Sequence, residues 1–132
     1  MMNTPLNTTR PSTILVVENE VSNRILIERV LSSRGYRCLS ATNGREALDI
    51  LDQEQVDLIL TDLSMPVLDG YRATQLIRAR PALAHVPIVA VTAFALQDEG
   101  EAAREAGCTE YLTKPFKPRQ LLEVVERLLP PR

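Results

Sequence analysis

Apolar positions follow two rhythms along the chain. Short runs with few polar interruptions occur at residues 14–17, 58–61 and 88–92, with weaker ones at 37–41 and 111–113. An unbroken run of four or five apolar residues suits a strand buried on both faces, as in the interior of a parallel sheet. Between the runs, apolar residues return every three or four positions. Ile27, Val30 and Leu31 share one helical face, as do Ala47, Ile50 and Leu51, and Ala73, Leu76 and Ile77. Leu121, Val124, Val125 and Leu128 repeat the spacing near the end. Asn43, with Glu46 three residues on, has the form of an N-cap and its capping-box acid. The segment 96–106, LQDEGEAAREA, offers Leu96 as its one large apolar residue and contains Gly100. A helix there has a thin packing face and is expected to be locally unstable. Strand and helix thus alternate five times, which predicts an α/β fold, a doubly wound (βα)5 sandwich around a five-stranded parallel sheet. Residues 1–12 read as a flexible N-terminal tail, 13–129 as the domain, and 130–132 as a C-terminal tail after the helix-stopping Pro130 and Pro131.

Composition narrows the picture. A length of 132 residues suits one domain with its own core. The formal net charge of −2, from 15 basic and 17 acidic residues, argues against a nucleic-acid-binding face. Aromatic content is only 4% and Trp is absent, so the core must be aliphatic. Cys38 and Cys108 show neither a disulfide framework nor a metal-binding spacing, and read as small hydrophobes in a reducing compartment. The apolar stretch 88–96 is far shorter than the ~20 residues of a spanning helix, and the N-terminus has no signal-peptide pattern. No membrane partner and a cytoplasmic location are expected.

In such folds ligands gather beyond the carboxyl ends of the strands, so those positions matter most. Glu18, Asn19 and Glu20 follow the first strand, Asp62 ends the third, Thr92 ends the fourth, and Lys114-Pro115 follows the fifth. Clustered carboxylates resist ionisation unless positive charge sits among them, and a hard divalent cation such as Mg2+ suits oxygen ligands. An exposed carboxylate beside a metal, a lysine and a hydroxyl can attack phosphorus to give an acyl phosphate. Taken singly, the acids read as helix caps or solvated charges, Thr92 as a strand residue and Lys114 as a surface charge. Their joint placement at the strand ends is what points to a site. Lys114 is one of two lysines against 13 arginines, and a compact point charge fits there better than a planar fork.

These residues lie in ILVVENE (14–20), NGREAL (43–48), DLILTDLSMPVLDG (57–70), PIVAVTA (87–93) and EYLTKPF (110–116). With them the chain resembles the receiver domain of two-component response regulators across roughly residues 13–129. The resemblance implies the flavodoxin-like strand order 2-1-3-4-5. It implies Asp62 as phosphoacceptor, served by a sensor histidine kinase or a histidine phosphotransfer protein. Glu18 and Asn19 take the acidic-pair positions for Mg2+, with Asp62 and the backbone carbonyl of Ser64 completing the protein ligands. Thr92 would bind a phosphoryl oxygen and Lys114 would pair with the phosphorylated Asp62. Tyr111 stands at the aromatic switch position beside Thr92, and Lys114–Pro115 at the usual cis peptide. Segment 96–106 would shift on phosphorylation, while Ser64 and Phe94 stand where the family tunes dephosphorylation; a bulky Phe94 would shield the acyl phosphate from water. The chemistry implied is self-catalysed acceptance and loss of the phosphoryl group, not enzymatic turnover. A downstream protein target, no direct nucleic-acid contact and, as in many relatives, a homodimer through the fourth and fifth helices complete the implied partners.

One departure stands out, because Asn19 offers an oxygen but no charge. A +2 ion and one carboxylate ~4 Å apart gain roughly 8 kcal/mol gross at an effective dielectric of ~20, much of it offset by desolvation. Mg2+ binding is therefore expected to be weakened by Asn19, unless Glu20 helps, although Glu20 opens the first helix. Two other chemistries on this fold fit less well. A haloacid-dehalogenase-type phosphatase wants a second carboxylate at Ser64, and flavin or nucleotide binding wants a Gly- or hydroxyl-rich loop where Glu18-Asn19-Glu20 stands. The alternative that Asn19 motivates is a degenerate receiver acting as a phosphorylation-independent interaction module; the intact Asp62, Thr92 and Lys114 argue against it. His85, between two prolines, reads as a loop residue and Asp69-Gly70 as a turn into a helix. With length for one domain only, any signal is expected to leave through protein–protein contact.

Overall fold

The unbroken apolar runs form the interior of a single sheet. The computed structural model describes residues 11–63, 70–92, 104 and 106–129. Its strands are β1 (Thr13–Val17), β2 (Arg37–Ala41), β3 (Leu58–Asp62), β4 (Ile88–Thr92) and β5 (Glu110–Thr113). All neighbouring pairs are parallel, in the order β2-β1-β3-β4-β5. Every residue of β1, β3 and β4 is buried, whereas the edge strands β2 and β5 are half exposed. That difference is why the edge runs are the weaker ones in the sequence.

Successive strand residues point to opposite faces, so each central strand feeds two cores. Leu15, Val17, Ile59 and Ile88 pack with Ala47 and Leu51 of α2 (Gly44–Gln53) and Ile77 of α3 (Gly70–Arg78). Ile14, Val16, Leu58, Leu60 and Val89 pack on the other face. Their partners are Ile27 and Leu31 of a helix at Val21–Ser32, and Leu121, Val124 and Val125 of one at Pro118–Leu128. These two are α1 and, last among the described helices, α4. Among the described residues, the four helical faces expected from spacing are thus turned inward. The two cysteines serve opposite cores, Cys108 buried in the first and Cys38 half-buried against the second. Burial pushes both thiols up from their ordinary pKa, in keeping with packing residues.

Local details refine three expectations. Asn43 caps α2 through a hydrogen bond from the Glu46 N–H at 2.9 Å. The returning Glu46 carboxylate accepts from the N–H and the hydroxyl of Thr42, both at 2.7 Å, and so lands one residue earlier than a capping box would. Ser12, placed in the tail by sequence, is buried, and its carbonyl accepts from the Arg37 N–H at 2.9 Å; the edge strand β2 holds it. His85 is exposed in the loop after a 3-10 turn at Pro81–Leu83. Ser64, Asp69, Phe94, the two chain ends and all of the 96–106 segment except helical Arg104 and buried Ala106 lie outside the described residues.

Candidate functional site

Parallel register brings the chemistry together. Val17 pairs with Thr61, so Glu18 and Asp62 leave the sheet at the same height on neighbouring strands. Asp62 pairs with Val91, and Thr92 with Thr113, which puts Lys114 one residue beyond the ladder. Strands lie ~4.8 Å apart, so residues that leave adjacent strands at one level are within reach of one another. At both margins the backbone continues the sheet's bonding: Glu18 N–H donates to the Ala41 carbonyl at 3.0 Å, and Lys114 N–H to the Thr92 carbonyl at 2.7 Å. The Lys114–Pro115 peptide is cis.

One ammonium serves two buried carboxylates. Lys114 Nζ donates to Glu18 Oε1 at 3.0 Å and to Asp62 Oδ2 at 3.1 Å. The Glu18 side chain is 2% exposed, that of Asp62 9% and that of Lys114 23%. Burial works against the ammonium, but its bonds to the two carboxylates and their charges outweigh burial and raise the Lys114 pKa. Thr92 is buried at the end of β4, beside them in the strand order. Of the expected constellation, Glu18, Asp62, Thr92 and Lys114 are therefore gathered at one sheet edge.

The first loop divides its three polar residues. Glu18 turns inward, and its second oxygen, Oε2, accepts from the Glu20 N–H at 3.0 Å. Asn19 is exposed. Glu20 is committed as the N-cap of α1, its carboxylate accepting from the Asn23 N–H at 2.9 Å. It therefore does not supply the charge that Asn19 lacks. Tyr111, on the edge strand β5, is 39% exposed. Sequence reading missed Arg24, whose Nη1 donates to the Glu18 carbonyl at 2.9 Å. The one available signal was a cationic side chain near a helix N-terminus, where acids are favoured.

The donor set suits a hard cation. Glu18 and Asp62 carry two carboxylates against one ammonium, and this oxygen pair with residual negative charge fits Mg2+. Among the described residues no group of three or more His, Cys, Asp or Glu side chains could hold a metal. Of the acids near the first loop, Glu20 is committed to its cap, which leaves Glu18 and Asp62 together at the site.

Comparison with known proteins gives a consistent answer. The response regulator receiver domain model matches residues 14–126. The polar-differentiation response regulator DivK of Brucella anthropi is 33% identical over 119 residues, 90% of this chain and 97% of that one. The receiver domain of a Pseudomonas aeruginosa sensor histidine kinase, whose crystal structure has a magnesium ion coordinated in the active site cleft, is 41% identical. It superposes with a TM-score of 0.84, covering 90% of this chain and 98% of that one. The Vibrio cholerae chemotaxis protein CheY4 superposes at 0.88 with 29% identity, covering 91% of this chain and all of its own.

Proposed function

The chain belongs to the response regulator receiver domain family, the phosphoacceptor domains of two-component signalling, and on that premise we propose that Asp62 receives the phosphoryl group. The observation that carries the assignment is the double pairing of Lys114 with Glu18 and Asp62. An Asp62 oxygen attacks phosphorus in line with the leaving group. The bond from phosphorus to the donor's nitrogen or oxygen breaks, and an acyl phosphate forms. Lys114 keeps its proton and transfers its pairing from the Asp62 oxygen to the phosphoryl oxygens, while the Thr92 hydroxyl donates to another of them. Glu18 and Asp62, with Asn19 and the Ser64 carbonyl, would hold Mg2+, which when bound offsets charge on the transferring oxygens. Water later cleaves the acyl phosphate, returning the Asp62 carboxylate and inorganic phosphate. This self-directed cycle is the whole of the chemistry proposed; no separate substrate is turned over.

Receiver domains interact with histidine kinases or phosphotransfer proteins upstream and with target proteins downstream. For this chain the donor's docking surface is proposed on α1. Val21, Ile25 and Leu26 are exposed there, beside a cavity of about 510 Å³ lined by Asn23, Leu26, Ile27, Pro115, Phe116 and Lys114. Lys114 belongs to both cavity and site, so a histidine-bearing partner seated on α1 presents its phosphoryl group to Asp62. Thr92 and Tyr111 form the proposed switch: the buried hydroxyl engages the phosphoryl group and the exposed ring moves inward, remodelling the surface a target reads. Among the described residues no helix is long and apolar enough to cross a membrane. A cytoplasmic location belongs to the same reading, supported by two free thiols.

Incubation with Mg2+ and acetyl phosphate followed by intact-mass measurement tests the assignment. One phosphoryl mass is expected on the parent protein and none on Asp62→Asn. An unmodified parent, or modification that survives the substitution, would favour a phosphorylation-independent interaction module.

A further inference from the structure

Arg24 stands where local helix physics disfavours it. Glu20 caps α1, so Arg24 is the fourth helical residue, and helical side chains lean toward the N-terminus. The guanidinium therefore folds back over the positive end of the helix dipole, a place that favours anions. It is held there by the Glu18 carbonyl, which accepts from Nη1 at 2.9 Å. A local rule broken beside a functional site calls for a compensating gain.

The gain lies in what the bond fixes. The Glu18 backbone is held on both sides, its N–H by the Ala41 carbonyl at 3.0 Å and its C=O by Arg24. With the peptide so oriented, the Glu18 carboxylate points inward to Lys114, and its other oxygen accepts the Glu20 N–H. We propose that Arg24 is a positioning residue of the phosphoacceptor site, locking the 18–20 loop through the Glu18 carbonyl so that Glu18 is aimed at the cation site while Glu20 stays on its cap. With Asn19 in place of an acid, Glu18 is the one carboxylate of this loop directed inward, so its aim carries more weight. This inference rests on the proposed role of Glu18 at the phosphoacceptor site.

Two readouts keep the inference and the functional reading separate. The first is amide exchange of Glu20 in the metal-free protein, because that N–H is protected by the Glu18 carboxylate. The second is the Mg2+ concentration for half-saturation, followed by NMR shifts of the unphosphorylated protein. Arg24→Ala is expected to speed Glu20 exchange about tenfold and to raise the half-saturating Mg2+ three- to tenfold. Arg24→Lys, which can still donate to the carbonyl, is expected to stay within about twofold of the parent on both. Unchanged Glu20 exchange in Arg24→Ala overturns the proposal, as does a loss that Arg24→Lys fails to restore at an unchanged melting temperature. If the parent takes no phosphoryl group from acetyl phosphate, the assignment of Asp62 fails. The Glu20 exchange comparison still decides whether Arg24 holds the loop.

Discussion

At the scale of single residues, the site is defined, among the described residues, by two carboxylates that share one ammonium. Glu18 and Asp62 divide that ammonium, and Glu20, two residues after Glu18, spends its carboxylate on an N–H of α1. The sequence resemblance set Glu18 at the site and left open whether Glu20 helps; the cap that Glu20 forms on α1 decides that it does not. Asn19 is exposed at the margin of the site, so restoring an acid there costs little in packing. Asn19→Asp is therefore expected to tighten Mg2+ binding by about tenfold or more, the surplus of Coulomb attraction over desolvation at a solvated position. Titration of the unphosphorylated protein with Mg2+ reads this directly. Equal affinity in the two proteins would mean that position 19 does not touch the cation.

At the scale of elements, two termini show how loops are fixed. Arg78, in the last turn of α3, reaches the connection that enters β5. Its Nε donates to the Gly107 carbonyl at 2.8 Å, one terminal nitrogen to the Leu83 carbonyl at 2.9 Å, and the other to Thr109 Oγ1 at 3.3 Å. Gly107 has φ +115°, and a Cβ there would lie 2.6 Å from Arg78 Cγ. Gly35, at φ +85°, has nothing within 4 Å of such a Cβ. Gly35→Ala is expected to cost about 1 kcal/mol, from backbone strain alone. Gly107→Ala should cost about 2–4 kcal/mol, because the bonded Arg78 must also move. Urea unfolding of the two variants compares them, and equal costs would show that Arg78 yields freely.

The start of α2 carries a pH dependence. The N–H and hydroxyl of Thr42 hold the Glu46 carboxyl below its ordinary value of 4.5. A depressed folded pKa stabilises the fold above 4.5, and the contribution is lost as pH falls through the folded value. Between pH 6 and pH 3 the parent should lose more melting temperature than Glu46→Gln, which does not titrate. Parallel curves would remove Glu46 from the account.

At the scale of the whole molecule, one sheet serves two cores, so neither face can unfold without exposing the other. Ile59 and Leu60 are neighbours on β3 that point to opposite cores, 0% and 1% exposed. Each truncated to Ala should cost about 2–5 kcal/mol and leave a single transition. Coincident near- and far-UV circular dichroism during unfolding checks this; separate transitions would mean that the faces are independent. The strand runs, the inward helical faces and the gathering of Asp62, Thr92 and Lys114 at one edge were legible in the sequence, because the periods of strand and helix and the parallel direction of βα units leave little freedom. The pairing of Glu18 with Lys114, the commitment of Glu20 to its cap rather than to the site, the hold of Arg24 on the Glu18 carbonyl and the reach of Arg78 to Gly107 were decided only by tertiary structure. Each depends on where a long, flexible side chain finds a partner that the fold brings near, and no period in the sequence encodes that choice.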